Sequence, residues 1–308
     1  MAMKPCAFSS FHPLVNFAYF AAVIGFSMVL MHPVSLVTSL ALACVYLVQL
    51  GGLKSLKSTM KYLLPMMIFT AALNPLFNHQ GATILAYLPN GNPVTLESAT
   101  FGAAAAVMLA SVVLWFACFN LVITSDKFVY LFGRIIPALS LVLAVALRFV
   151  PRFRAQITVV VNAQKCIGKG ASDGGGIIAK VRHAAAILSI MVTWALENAI
   201  ETSDSMKNRG YGLPGRTAFS IFRFERRDAY ALLFICVCTA VIVAAQIMGV
   251  YHFRYFPTIR GQWTTIGALA MFAVYFALLA LPVGINLKEA IHFYRCHSGL
   301  DPESHKVN

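Results

Sequence analysis

The sequence predicts an all-α polytopic membrane protein, with about six transmembrane helices and a cytoplasmic module of long helices. Of its 308 residues, 59% are hydrophobic and only 11% are charged. A soluble domain devotes about 25% of its residues to Asp, Glu, Lys and Arg, because its surface must be hydrated. The low charged fraction therefore indicates that much of this surface faces a bilayer.

Six apolar runs are candidate spans, and they cover residues 14–31, 34–53, 62–77, 99–124, 229–250 and 264–285. The third is the shortest and contains Pro65 and Asn74-Pro75. We expect a kinked or partly re-entrant helix there, with its freed backbone groups satisfied by neighbouring helices. The first run lacks a small-x-small cleavage site and is followed by a second run of similar length, which favours a retained helix over a signal peptide.

Lysine and arginine alternate between the connecting segments. Residues 54–61 carry three of them, residues 78–98 carry none, and residues 125–228 carry 15. Because basic connecting segments stay in the cytoplasm, we predict that both termini are cytoplasmic. The loop 78–98 is then external, and two β-prone runs around Asn90-Gly91 suggest a small hairpin near 83–96. A plain structured loop fits the same residues equally well.

The basic segment 125–228 contains two further apolar stretches, 135–150 and 184–196. They have 16 and 13 residues, which is short for a span. If both crossed the membrane, residues 151–183, with six basic residues and one acidic residue, would lie outside, against the positive-inside rule. We therefore predict three parts, which are an N-terminal transmembrane bundle of four spans (1–124), a cytoplasmic helical module (125–228) and a C-terminal transmembrane hairpin with a cytoplasmic tail (229–308).

The first long helix of this module is predicted from apolar residues that recur from Val150 at steps of three and four, which places them on one helix face. Arg148 and Pro151 lie at its start, and Pro151 suggests a bend. After Cys166 the helix is broken by the glycine-rich residues 168–176. These residues lack the order of a phosphate-binding P-loop, so we interpret them as a flexible linker.

The second long helix, at about residues 177–209, has an apolar stripe and a separate acidic stripe that includes Glu197 and Glu201. The acidic stripe is either a solvated face or a face presented to a partner. The helix ends at Arg209-Gly210. A cation in the last turn meets the negative end of the helix dipole, and glycine adopts the left-handed conformation that stops the helix.

Two long helices that each close in a short glycine-terminated motif, inside a basic loop of a multi-span protein, resemble the transmembrane T component of energy-coupling factor (ECF) importers, the CbiQ/EcfT family. In that family each of two coupling helices ends in an Ala-Arg-Gly motif that docks into an ATPase subunit. Asn208-Arg209-Gly210 is similar to the second motif. Cys166-Ile167-Gly168 aligns with the first, but its arginine is missing. There the charge would come from Lys165 or Lys169, or the contact would be weaker and more apolar.

Two further motifs strengthen the resemblance, which covers roughly residues 10–285. Arg148-Phe-Val-Pro151 is similar to the family's entry to its coupling helix, and Asn74-Pro75 also fits. The resemblance implies a non-catalytic subunit of an importer in the bacterial cytoplasmic (inner) membrane. Its partners would be the lipid bilayer, two ATPase subunits that bind ATP and Mg, and a substrate-binding S component for a vitamin or metal ion. The chain itself would hold no cofactor.

Other function classes fit the sequence less well. A self-contained secondary transporter is the main alternative, but it usually needs ionisable residues inside its spans, and the six apolar runs contain no Asp, Glu, Lys or Arg. An intramembrane enzyme would need clustered histidines or carboxylates, and no catalytic residue is predicted. Nucleic-acid binding is disfavoured because the basic residues, which give a net charge of +13, are interleaved with apolar faces.

Two smaller features leave their roles open. Gly102, Ala106 and Ala110 are spaced four apart on one helix face, so they serve either packing inside the bundle or contact with the S component. His292, Cys296 and His297 are the one cluster of metal-ligand residue types, and they make half a site at best. No metal site is predicted.

Overall fold

A computed structural model describes residues 6–87, 92–133, 137–168, 176–211, 213, 222–249, 253–261 and 265–297. The chain divides into two compact units, of which the first comprises Met1–Thr124 with Phe222–Asn308 and the second comprises Ser125–Ile221. The first unit contains a 3-10 helix (Ala7–Ser10), α1 (Pro13–Val29), α2 (Pro33–Phe77), β1 (Ile84–Tyr87), β2 (Pro93–Thr95), α3 (Leu96–Val122), α7 (Arg226–Ile247), β3 (Phe253–Arg254), β4 (Arg260–Gly261) and α8 (Ile266–His297). The second contains α4 (Ser125–Gly133), α5 (Pro137–Cys166) and α6 (Ile177–Asn208).

Long apolar helices dominate the described residues. Five of them are long and apolar enough to cross a membrane, namely α2, α3, α6, α7 and residues Ile266–Ile291 of α8, while the apolar α1 is shorter. The two pairs of strands are only two to four residues long. The chain is therefore an all-α polytopic membrane protein, and the predicted fold class is confirmed.

The helix α2 contains both of the predicted spans 34–53 and 62–77 without an intervening loop. Its one non-helical residue is Gly52, with φ 72° and ψ 175°, a left-handed backbone that glycine adopts without a steric cost. We call the arms on either side α2a (33–51) and α2b (53–77). The predicted basic loop 54–61 is thus wrong, because these residues are the first two turns of α2b.

Contacts with α3 give the directions of the two arms. Trp115 donates to Ser39 at 3.0 Å and Leu121 lies 3.9 Å from the Cβ position of Gly51, so α2a runs parallel to α3. Farther along α2, the Ala71 carbonyl lies against Gly102. From Gly51 to Ala71 the contacts with α3 thus move backward along α3, from Leu121 to Gly102. Therefore α2b runs antiparallel to α3, and α2 folds back on itself at Gly52.

The core of the first unit is aromatic, with a short polar chain through it. Trp115, Tyr19, Tyr46 and Tyr275 are all buried. The Ser39 hydroxyl that accepts from Trp115 lies 2.9 Å from the Ser27 hydroxyl, which lies 3.4 Å from the Tyr275 hydroxyl. Hydrogen bonds between helices add to close packing in an apolar environment, so this chain ties α1, α2a, α3 and α8 together.

The predicted hairpin near 83–96 is present as a pair of antiparallel strands. Ile84 pairs with Thr95 and Tyr87 with Pro93, with an irregularity between Ile84 and Ala86. The predicted Asn90-Gly91 turn lies outside the described residues. At the base of the strands the Glu97 carboxylate accepts from the Thr83 amide at 3.2 Å and from its hydroxyl at 3.0 Å, which fixes β1 to the start of α3.

The second unit is built on the pairing of α5 with α6. Phe153 of α5 packs edge-to-face on Trp194 of α6, with ring centroids 5.5 Å apart, and the Arg152 guanidinium lies 5.6 Å from the centre of the same indole. Met191, Val160 and Asn198 are buried. One tryptophan thus takes an aromatic and a cationic partner from the facing helix.

The helix α6 has the bounds predicted for the second long helix, but it is longer than the apolar stretch inside it. The apolar stretch 184–196 is part of a helix of 32 residues, with a window of mean hydropathy 1.4 that is long enough to cross a membrane. The prediction that 184–196 is too short for a span is therefore wrong, because the helix around it is long enough. The placement of 125–228 in the cytoplasm rests on its charge and remains a prediction.

Candidate docking site

The end of α5 is a glycine cap. After Cys166, the Ile167 amide donates to the Ala163 carbonyl at 3.3 Å and the Gly168 amide donates to the Lys165 carbonyl at 3.1 Å. Gly168 has φ +75°, so the chain turns out of the helix at a residue for which left-handed backbone carries no Cβ penalty. The Ile167 side chain is 63% exposed.

The end of α6 is a Schellman motif. The Gly210 amide donates to the Lys207 carbonyl at 2.9 Å, and the Tyr211 amide donates to the Met206 carbonyl at 3.1 Å. Gly210 has φ +72°, and a Cβ there would lie 3.0 Å from Leu213. These bonds satisfy carbonyls that the helix end would leave without partners.

The two ends present different side chains from the same backbone position. Ile167 and Arg209 each directly precede a glycine in the left-handed conformation, and both side chains are exposed. The alignment of Cys166-Ile167-Gly168 with Asn208-Arg209-Gly210 therefore has a geometric counterpart. One end offers a branched apolar side chain, and the other offers a planar cation able to form two parallel hydrogen bonds with a carboxylate.

A cleft of about 780 Å³ lies between α5 and α6. It is lined by Val145, Arg148, Phe149, Pro151, Arg152, Asn198, Glu201, Thr202, Ser205, Met206, Arg209 and Tyr211. Four of the residues singled out from the sequence therefore share one cavity, namely Arg148, Pro151, Glu201 and Arg209. Glu197, Asn208, Gly210 and the residues 165–168 do not line it.

The cleft is electropositive. Three arginines line it, and Glu201 is the acidic residue among the described residues of its lining. Arg152 is held over Trp194. Over the described ranges, the side chains of Arg148, Arg209 and Glu201 make no ion pair or hydrogen bond. Three guanidinium groups and one carboxylate give the lining a net positive charge, so the cleft is suited to an anionic group.

The small residues of α3 lie inside the first unit. Ala106 and Ala110 are buried, and a Cβ on Gly102 would lie 2.7 Å from the Ala71 carbonyl oxygen and 3.0 Å from Asn74 Cβ. This face of α3 packs on α2b so closely that the side chain of residue 102 has to be absent. The side chains of His292, Cys296 and His297 lie outside the described part of the chain.

Sequence reasoning missed Trp194 and Tyr211. Trp194 holds Phe153 and Arg152, and Tyr211 closes the Schellman motif beside the cleft. The available signal was the lone tryptophan in a long helix, but a partner on another helix is not readable from spacing within one helix. Tyr211 directly follows Arg209-Gly210, so the glycine stop predicted at Gly210 could have indicated that Tyr211 takes part in the helix cap.

The fold and this pair of capped helices define a polytopic membrane protein whose second unit carries two long helices that end in glycine caps. Residues 9–221, more than half of the chain, match the family of CbiQ cobalt transport proteins. The chain belongs to this family. The predicted family resemblance is thereby confirmed.

The chain is also similar to curated transmembrane proteins of energy-coupling factor transporters. The chain is 32% identical over 106 residues to the energy-coupling factor transporter transmembrane protein EcfT of Lactobacillus helveticus, a match that covers 34% of this chain and 38% of the relative. It is 28% identical to EcfT of Lactococcus lactis subsp. cremoris, over 34% of this chain and 40% of the relative. It is 35% identical to EcfT of Streptococcus thermophilus, over 32% of this chain and 37% of the relative. These matches span less than half the length of the relatives.

Proposed function

We propose that this chain is the T subunit of an ECF-type importer, which transmits ATP-driven motion of two ATPase subunits to a membrane S component that carries a vitamin or metal ion. The observation that carries the proposal is the matched pair of helix ends. Ile167 and Arg209 occupy equivalent, exposed positions before left-handed glycines. In a family of membrane transport proteins, two equivalent ends suit two related partners.

The chain's contribution is mechanical rather than chemical. ATP and Mg would bind to the ATPases, whose closure would move the ends of α5 and α6. The contacts of Trp194 with Phe153 and Arg152 support transmission, because they couple the two helices near their middle and make them tilt together. The S component would receive this motion and would determine the cargo.

The test of the proposal is co-purification from cells that express the tagged chain, two ATPase subunits and a candidate S protein. We expect both ATPases to be recovered with the chain in detergent, and ATP hydrolysis to depend on the complex. Recovery of the folded chain without either ATPase would overturn the proposal. A secondary transporter would instead move its substrate in vesicles that lack the ATPases.

The proposed location is the bacterial cytoplasmic membrane, with both termini and the 125–228 module in the cytoplasm. In a variant whose only cysteine is Cys166, which is exposed at the end of α5, a membrane-impermeant maleimide should label inverted vesicles but not intact cells. Ala86→Cys, at an exposed position of β1, is the matched control and should label from the opposite side. Labelling of Cys166 in intact cells would contradict this topology.

Ile167→Arg tests the first motif. The side chain is exposed and occupies the position that corresponds to Arg209, so an arginine there fits without repacking the helix. We expect ATPase recovery to rise or to stay unchanged. Ile177→Arg, at an exposed apolar position on α6, serves as the control. A loss of ATPase recovery in Ile167→Arg alone would show that the first motif is aligned wrongly.

A further inference from the structure

The cleft between α5 and α6 has features that docking of the two helix ends does not use. We propose that it is a receptor site, which takes an acidic, amphipathic helix of one ATPase subunit. The inference rests on the proposed function, and it adds that the contact is reciprocal, with each partner inserting side chains into the other.

The charge of the cleft points to an acidic ligand. Arg148 and Arg152 come from α5 and Arg209 from the end of α6, and all three line the same space of about 780 Å³. Arg209 alone would be sufficient for a docking motif at a helix end. Arg148, which makes no side-chain ion pair within the described ranges, adds a second unneutralised cation on the opposite wall. Two such cations favour a ligand with two carboxylates, or one carboxylate held by two guanidinium groups.

A second, apolar hollow adjoins the cleft and points to a peptide. It has a volume of about 310 Å³ and is lined by Val145, Phe149, Ala199, Thr202, Ser203, Met206, Lys207 and Tyr211. Five of these residues also line the cleft, so the two spaces share a wall. Residues three or four apart on a helix are neighbours on its surface, so a helix with an apolar and an acidic side chain at that spacing would fill the hollow and the cleft together.

The walls of the site are already held in place. The Arg152 guanidinium lies over the Trp194 indole. The Asn198 side-chain amide donates to the Trp194 carbonyl at 2.9 Å, and the backbone of Tyr211 is held by its amide bond to the Met206 carbonyl. A site with fixed walls loses less conformational freedom on binding. The site also borders Arg209, so a subunit docked on the end of α6 is the molecule next to it.

A phosphate group is the competing anion, from a lipid headgroup or from solution. It would satisfy the arginines, but a phosphate group has no apolar part to place in the adjoining hollow, and Glu201 in the same lining repels either anion. The same carboxylate can accept a hydrogen bond from a lysine or serine of a peptide. These differences favour the protein ligand.

The experiment compares two arginines of α5 in the complex with both ATPases. In Arg148→Gln we expect about tenfold weaker binding of one ATPase, the effect of losing one charged contact, and a shallower dependence of binding on salt. Arg154→Gln is the matched control, because Arg154 is an exposed arginine of the same helix that does not line the cleft. It should bind as the unmodified chain does. A benzophenone amino acid at Thr202, which lines both spaces, should cross-link to a helix of that ATPase that carries acidic residues.

The outcomes separate this inference from the proposed function. If the unmodified chain retains both ATPases and Arg148→Gln binds as Arg154→Gln does, the receptor site is wrong while the proposed function stands. Cross-links from position 202 to lipid alone, or loss of anionic lipid in native mass spectra of Arg148→Gln with ATPase binding unchanged, would also overturn the receptor site. If the unmodified chain retains no ATPase, the proposed function itself fails.

Discussion

Arg209→Glu is expected to release the ATPase subunit that docks on α6 while leaving the chain folded in the membrane. The side chain is exposed, and the bonds that end the helix are made by the backbone of residues 206–211, so reversal of the charge removes no structural contact. A carboxylate at a helix C-terminus costs about 0.3–1 kcal/mol. Facing an acidic partner, however, it replaces a charge-assisted hydrogen bond by repulsion, an effect of about 2–5 kcal/mol or more.

The measurement is the amount of each ATPase that co-purifies with the tagged chain, beside its thermal stability in detergent. Arg182→Glu is the control, because it makes the same charge reversal at an exposed position of α6, about 40 Å along the helix from Arg209. Arg209→Lys should give partial retention, since lysine keeps the charge but loses the planar fork. Unchanged recovery of both ATPases in Arg209→Glu would remove Arg209 from the docking site.

The helices that form the candidate site could be predicted because their signals are local. The period of apolar residues gives α6 and the second half of α5, but α5 begins at Pro137, so the prediction that Arg148 and Pro151 lie at its start is wrong. Each helix stop depends on a glycine that follows the last turn directly, at Gly168 and Gly210. The fold-back of α2 could not be predicted, because Gly52 reverses the chain direction without a loop. The lysines that follow Gly52 have the polarity of a loop, but they lie in the first turns of α2b. Sequence patterns report polarity, and polarity alone does not distinguish a loop from the end of a helix.

The pairing of α5 with α6 was beyond prediction for a different reason. Arg148 and Arg209 are 61 residues apart, and their helices are brought together by the packing of Phe153 and Arg152 on Trp194. The apparent shortness of 184–196 was misleading because Arg182, Glu197 and Glu201 end the apolar run without ending the helix. Charged residues set the ends of an apolar run, whereas backbone hydrogen bonds set the ends of the helix that contains it.

Gly102→Ala is expected to destabilise the isolated chain, and Gly25→Ala is expected to leave it unchanged or to stabilise it. Both glycines lie inside apolar helices, where replacement by alanine gains about 0.8–1.0 kcal/mol of helix propensity. At Gly25 nothing lies within 4 Å of the new methyl group, whereas at Gly102 it meets the Ala71 carbonyl oxygen at 2.7 Å. That oxygen belongs to the backbone of α2b and cannot move alone, so α2b and α3 must separate.

Overpacking of this kind costs about 1–3 kcal/mol, which exceeds the gain in propensity, and the larger Gly102→Leu should yield little folded protein. The measurement is the midpoint of thermal unfolding in detergent, by size-exclusion chromatography of heated samples, with no partner subunit present. A face reserved for an S component would leave the isolated chain as stable in Gly102→Ala as in Gly25→Ala. A lower midpoint for Gly102→Ala alone would assign the face of Gly102, Ala106 and Ala110 to internal packing, and the S component would then have to bind elsewhere on the chain.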